Sequence, residues 1–149
     1  MKQFTKILLI VLTVLILSAF INQGGTSFSL TVNVTGLQNS KGIVQCALYD
    51  TEGSIPDELY KKTFRIMTGT IINGSSLASF KNLPPGRYAV NILHDENSNG
   101  KIDKGLIFPK EGIGFSNYQC IGLKNRPDFS KASFELKADT SIRVKVIYM

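Results

Sequence analysis

The chain has 149 residues, with 17 Lys and Arg against 11 Asp and Glu, two Cys and no Trp. Outside an apolar N-terminus it leaves roughly 130 residues, enough for one domain with its own core and no need of staples. The basic residues are scattered, with no run beyond Lys61-Lys62, which speaks against a nucleic-acid surface. The cysteines form no CxxC pair, which speaks against zinc and redox catalysis.

Met1 to Lys6 carries Lys2 and Lys6 and no acid, and Ile7 to Ile21 is almost wholly apolar. A basic start, a short apolar stretch and the small residues Ser18 and Ala19 near its end predict a secretory signal over residues 1–21. Loss of Lys2 and Lys6 lowers the formal charge from +6 to +4. The stretch is short for a membrane-spanning helix, which needs about 20 residues, so an uncleaved N-terminal anchor is the alternative. Residues 26–149 then form a single exported domain, periplasmic, at the cell surface or extracellular. Any membrane contact runs through the N-terminal segment.

Period-two alternation dominates the rest. Phe28, Leu30, Val32 and Val34 mark a first strand, ended by Gly36. Val44, Cys46 and Leu48 mark a second within Gly42 to Asp50. Phe64 to Ile72 reads as a third, closed by the turn pair Asn73-Gly74, and Ser75 to Phe80 as a fourth. Arg87 to His94 is a fifth, with Tyr88, Val90 and Ile92 on one face. Ala132, Phe134 and Leu136 give a sixth; Ile142, Val144, Val146 and Tyr148 give the last. Pro56 to Lys62 is a short helical turn, since Pro suits the first helical position. Thr51 to Lys61 and Lys104 to Ser130 break the alternation and read as long loops. The expected fold is all-β: an antiparallel, seven-stranded Greek-key sandwich of prealbumin-like or immunoglobulin-like type, preceded by a signal helix.

In Leu83-Pro84-Pro85-Gly86-Arg87-Tyr88 the prolines stop one strand, Gly86 makes the turn, and Tyr88 opens the next strand pointing inward. This corner resembles that of transthyretin-like and carboxypeptidase-regulatory-like sandwiches. Cys46 and Cys120 allow two readings. A disulfide would close a loop of about 75 residues and add roughly 4 kcal/mol. Alternatively, Cys46 is a small core residue beside Val44 and Leu48.

Asp95, Asn97 and Asn99 place side-chain oxygens at every second position, Gly100 follows, and Asp103 ends the run. That is the first part of an EF-hand-type calcium loop. The three residues would give side-chain oxygens, Lys101 a carbonyl, and Asp103 a direct or water-bridged ligand. Leu106 stands where an EF-hand has its bidentate glutamate, so Glu111 is the expected extra carboxylate. Glu96 should point away. So few charges imply a weak site, in the range of about 10⁻⁴ to 10⁻³ M for extracellular modules. The alternative is a metal-free turn in which Asn and Asp bond their own backbone. His94 reads as a hydrogen-bonded structural residue.

Three elements together resemble one family: Tyr88-Ala89-Val90; His94-Asp95 with Asn97, Asn99-Gly100 and Asp103; and Pro109-Lys110-Glu111-Gly112 with Gly114-Phe115-Ser116-Asn117. They are similar to the hallmark of the bacterial domain-of-unknown-function family 2141. Ile113, Phe108, Tyr118 and Cys120 depart from its pattern. The resemblance covers the whole exported part and implies export and a β-sandwich, with no activity attached. Within its last element, Ser116 and Asn117 should cap freed backbone groups, Phe115 should plug a pocket, and Lys110 and Glu111 should pair or meet the ion.

Three functions fit. The first is a non-enzymatic module that binds a surface glycan, peptide or protein, with exposed aromatics at Tyr118 or Phe108. The second is a hydrolase, using Asp95, Asp103 and Glu111 as carboxylates or Ser116 with His94 as nucleophile and base; no GxSxG or HExxH supports it. The third is a metal-free structural envelope protein.

Overall fold

The computed structural model describes residues 25–106 and 109–149. The N-terminal segment read as signal or anchor lies outside them, as does Phe108. The described part is an all-β sandwich of two sheets. Its strands are β1 (Phe28–Thr35), β2 (Ile43–Tyr49), β3 (Arg65–Gly69), β4 (Ile71–Ile72), β5 (Ser75–Leu83), β6 (Gly86–Asp95), β7 (Gly112–Phe115), β8 (Phe134–Leu136) and β9 (Thr140–Lys145). One sheet runs β4-β5-β1-β9 and the other β3-β2-β6-β7, with β8 pairing the first residues of β6.

Nine strands stand where seven were expected, and two physical details account for the difference. The third expected strand changes sheets after Gly69. A side chain on Gly69 would stand 2.5 Å from Ser76 Oγ, so the chain passes close to β5 there and resumes as β4. The long loop after Lys104 contains β7, hidden because every second residue is glycine. A Cβ on Gly112 would lie 2.4 Å from Val146 Cγ1, and one on Gly114 2.5 Å from the Lys145 carbonyl. Apolar alternation vanishes when the inward positions have no side chains. The pairing is antiparallel except for β1 with β9, which run parallel from Leu30↔Thr140 to Thr35↔Lys145. The helical turn expected at Pro56 to Lys62 is a series of turns. A short helix, α1 (Phe129–Ala132), lies instead in the second long loop, where Asp128 caps it by accepting from the Lys131 amide.

Leu30, Val32, Val34, Val44, Cys46, Leu48, Phe80, Val90, Ile92 and Val144 fill the space between the sheets. Burying each large side chain contributes about 1.5–3 kcal/mol. Tyr88 faces inward and its hydroxyl donates to the Pro84 carbonyl at 2.9 Å, as the corner motif suggests. A second core lies on the outer face of the five-stranded sheet. There Ala47, Tyr49, Ala89, Leu93, Ile113 and Phe115 meet Ile55, Tyr118, Phe129 and Ala132 from the two long loops. β2 is thus buried on both faces over Val44–Tyr49. Cys46 is buried and Cys120 exposed, and both thiols are free. Burial pushes the Cys46 thiol up to about 12.

Candidate cation site after β6

Alternation along β6 sends Ala89, Asn91, Leu93 and Asp95 to the outer face. His94 pairs with Gly112 at the end of the β6–β7 ladder, and Asp95 and Glu111 are the residues next to that pair. Asp95 is fully buried and Glu111 is 5% exposed. Asp95 accepts the amide of Asn99 on Oδ1 at 3.0 Å and that of Gly100 on Oδ2 at 2.7 Å. Glu111 accepts the Glu96 amide on Oε1 at 3.0 Å and the Asp103 amide on Oε2 at 3.2 Å. Two carboxylates thereby hold both ends of the loop, and the Lys110 amide adds a bond to the Asp103 carbonyl at 2.8 Å. Gly100 turns the chain with φ +72°, and Ser98 with φ +58°.

The two asparagines fold inward on their own backbone. Asn97 Oδ1 accepts from the Asn99 amide at 3.0 Å, and Asn99 Oδ1 from the Lys101 amide at 2.8 Å. Their nitrogens then both donate to Asp103, at 2.6 Å from Asn97 and at 3.1 and 3.2 Å from Asn99. Asp95, Asn97, Asn99, Asp103 and Glu111 therefore belong to one bonded cluster, with Lys101 joined by its amide. Glu96 leaves the cluster, and its carboxylate lies 4.0 Å from the His94 ring.

None of the ion pairs among the described residues involves Asp95, Asp103 or Glu111. Nor do three His, Cys, Asp or Glu side chains among those residues stand as a ready metal-holding group. Burial pushes the Glu111 carboxyl above its ordinary value; the Asp103 and Glu96 amides oppose this, and the Asp95 and Asp103 carboxylates reinforce it.

His94 faces the other way and is fully buried. Its Nε2 lies 2.9 Å from the Lys41 carbonyl, which only accepts, so Nε2 carries the proton. Nδ1 is then the acceptor for the Tyr148 hydroxyl at 2.6 Å. Ser116 is buried elsewhere: its Oγ accepts the Val90 amide at 2.9 Å and donates to the Ala132 carbonyl at 2.6 Å. The serine and histidine suggested as nucleophile and base do not meet. Ser116 caps freed backbone groups, and so does Asn117, which donates to the Ser133 carbonyl at 2.9 Å. Tyr118, expected as an exposed aromatic, is buried against Phe115 in the second core. Lys110 is exposed and Phe115 buried.

A cleft of about 360 Å³ adjoins the loop. It is lined by Ile102, Lys104 and Pro109, by Pro56 to Glu58, and by Asn91 and Phe115 from the sheet, with Ile121 to Leu123 also contributing. Lys104 pairs with Glu58 across it.

The model of a family described as an uncharacterized protein conserved in bacteria, DUF2141, matches residues 32–143. The chain belongs to DUF2141. The matched part of this DUF2141 chain includes β6, β7 and the segment between them that holds Asp103 and Glu111. No curated protein and no solved structure matches the chain.

Proposed function

We propose that this DUF2141 chain is an exported, non-enzymatic module whose acidic loop takes up calcium. The ion would fix the end of the sandwich that meets a surface glycan, peptide or protein. One observation carries the reading: Asp95 and Glu111 lie buried and hold the two ends of one loop, with Asp103 bonded between them, and among the described residues no cationic side chain pairs with any of the three. Buried charges are paired or bind metals, and neighbouring like charges repel.

The donor set fits a hard cation. Asp95, Asp103 and Glu111 offer carboxylate oxygens, Asn97 and Asn99 carboxamide oxygens, and Lys101 a carbonyl, which together match the oxygen ligands calcium takes. The asparagine nitrogens stand on Asp103, where positive charge is wanted. Calcium would replace them once the two carboxamides turn. That rearrangement weakens affinity, in keeping with the range of extracellular modules. The cleft supports a binding role at this end, because Ile102 and Lys104, on either side of Asp103, line it.

Thermal unfolding of the full-length chain, in calcium and then with excess chelator, tests the proposal. Calcium at ten times its dissociation constant adds about 1.4 kcal/mol, a rise of about 5 °C. Asp95→Ala should abolish the rise. An unchanged melting temperature at millimolar calcium would remove the ion from the account.

A further inference from the structure

Asn91, in the middle of β6, lies on the floor of the cleft beside the acidic loop and is 2% exposed. Its Nδ2 donates to the Gly114 carbonyl at 3.1 Å and to the Ile92 carbonyl at 3.4 Å. Only the nitrogen of a carboxamide can donate, so these bonds fix which atom is which. Among the described residues nothing donates to the Asn91 oxygen. The residues around it are largely apolar: Ile102, Pro109, Ile113, Phe115, Ile121 and Leu123. An apolar slot of about 360 Å³ with a buried acceptor at its base has the general form of a small-ligand site. Four charged residues also line it, Asp57, Glu58, Lys104 and Arg126. Three of them are engaged: Asp57 accepts the Lys62 amide at 2.7 Å, and Glu58 and Lys104 pair with each other. Arg126 is exposed, and no acid among the described residues pairs with it. A ligand that matches this cleft brings an apolar body, a donor for Asn91 and negative charge for Arg126.

We infer that the cleft receives the C-terminal end of a peptide whose last residue is apolar. The side chain of that residue fills the slot, its backbone N–H donates to the Asn91 oxygen, and its carboxylate meets the Arg126 guanidinium, whose planar fork suits carboxylates. This rests on the reading of this end of the sandwich as a binding end and names which ligand class enters the cleft; it does not depend on the ion. A sugar is the poorer occupant. It would set hydroxyls against Ile113 and Phe115, and the Phe115 ring is buried rather than offered for stacking. A fatty acid would supply the apolar body and the carboxylate but no donor, leaving the Asn91 oxygen unmatched.

Nuclear magnetic resonance titration of the isotope-labelled full-length chain tests this, with acetyl-Gly-Ala-Leu as the probe. The free acid should shift the Ile113 and Phe115 amides and the Asn91 side-chain Nδ2 signal. The C-terminally amidated peptide should bind about fivefold more weakly, and Arg126→Gln should weaken the free acid by about the same factor while leaving the amidated peptide unchanged. The ester analogue, with oxygen in place of the leucine N–H, should bind about tenfold more weakly and leave the Asn91 side-chain signal unmoved. Equal affinity for acid, amide and ester would overturn the inference. Decanoate bound as tightly as the peptide would also overturn it, because the donor would then play no part. Shifts with chitotriose and none with the peptide would overturn it and leave the binding reading intact. No shift with any of these probes would overturn the binding reading of the cleft and this inference together.

Discussion

His94 and Asp95 are consecutive residues at the end of β6, and they point to opposite faces of one sheet. Both are completely buried. On the inner face the imidazole meets two neutral partners, the Lys41 carbonyl and the Tyr148 hydroxyl, and each ring nitrogen has one bond. On the outer face the carboxylate meets the Asn99 and Gly100 amides, and its charge reaches the Glu111 carboxyl. The inner arrangement is closed by neutral hydrogen bonds, with a single carboxylate, Glu96, 4.0 Å from the ring. The outer one satisfies hydrogen bonds and still concentrates negative charge.

The contrast can be broken from either side. Truncation on the inner face should cost most. Ile92→Ala empties part of the space between the sheets and should lower stability by about 2–5 kcal/mol, with equal loss in calcium and in chelator by denaturant titration. Tyr148→Phe removes the donor to His94 Nδ1 and should cost about 1–3 kcal/mol, since it leaves a buried acceptor unpaired; its calcium-induced melting shift should match wild type. A shift that disappeared in Tyr148→Phe would mean that the two faces are coupled.

The smallest effect is a pH dependence confined to the outer face. The Glu111 carboxyl is raised in the folded chain, so between its folded and unfolded values the folded chain binds more protons. This group's contribution to ion-free stability therefore falls as pH rises through that window and is recovered on acidification. Calcium needs the ionised form, so its affinity should drop on acidification, approaching tenfold per pH unit below the folded value. Glu111→Gln should remove that part of the slope. An identical pH profile in wild type and variant would show that Glu111 does not face the ion.

Much of this was legible in the residues. Alternation in Leu30, Val32 and Val34 and in Tyr88, Val90 and Ile92 placed the central strands and their inner faces. The spacing of Asp95, Asn97, Asn99, Gly100 and Asp103 placed the turn, and Glu111 was singled out because the chain could loop back. β7 was not legible, because Gly112 and Gly114 are silent in a hydrophobic pattern while being required by contact with β9. The outer core was missed for a related reason. Tyr118 and Phe129 lie in segments without periodicity, and only the tertiary fold lays them over Leu93.

The bridge between Ile113 and Ile147 has a further effect. Their amides and carbonyls exchange bonds at 3.0 and 2.8 Å, so β7 is laced to the chain just beyond β9 and the margins of the two sheets are sewn shut along that side. A stray strand meets fewer open backbone groups at that bridge than along β3, an edge strand that carries the exposed Ile66 and Met67.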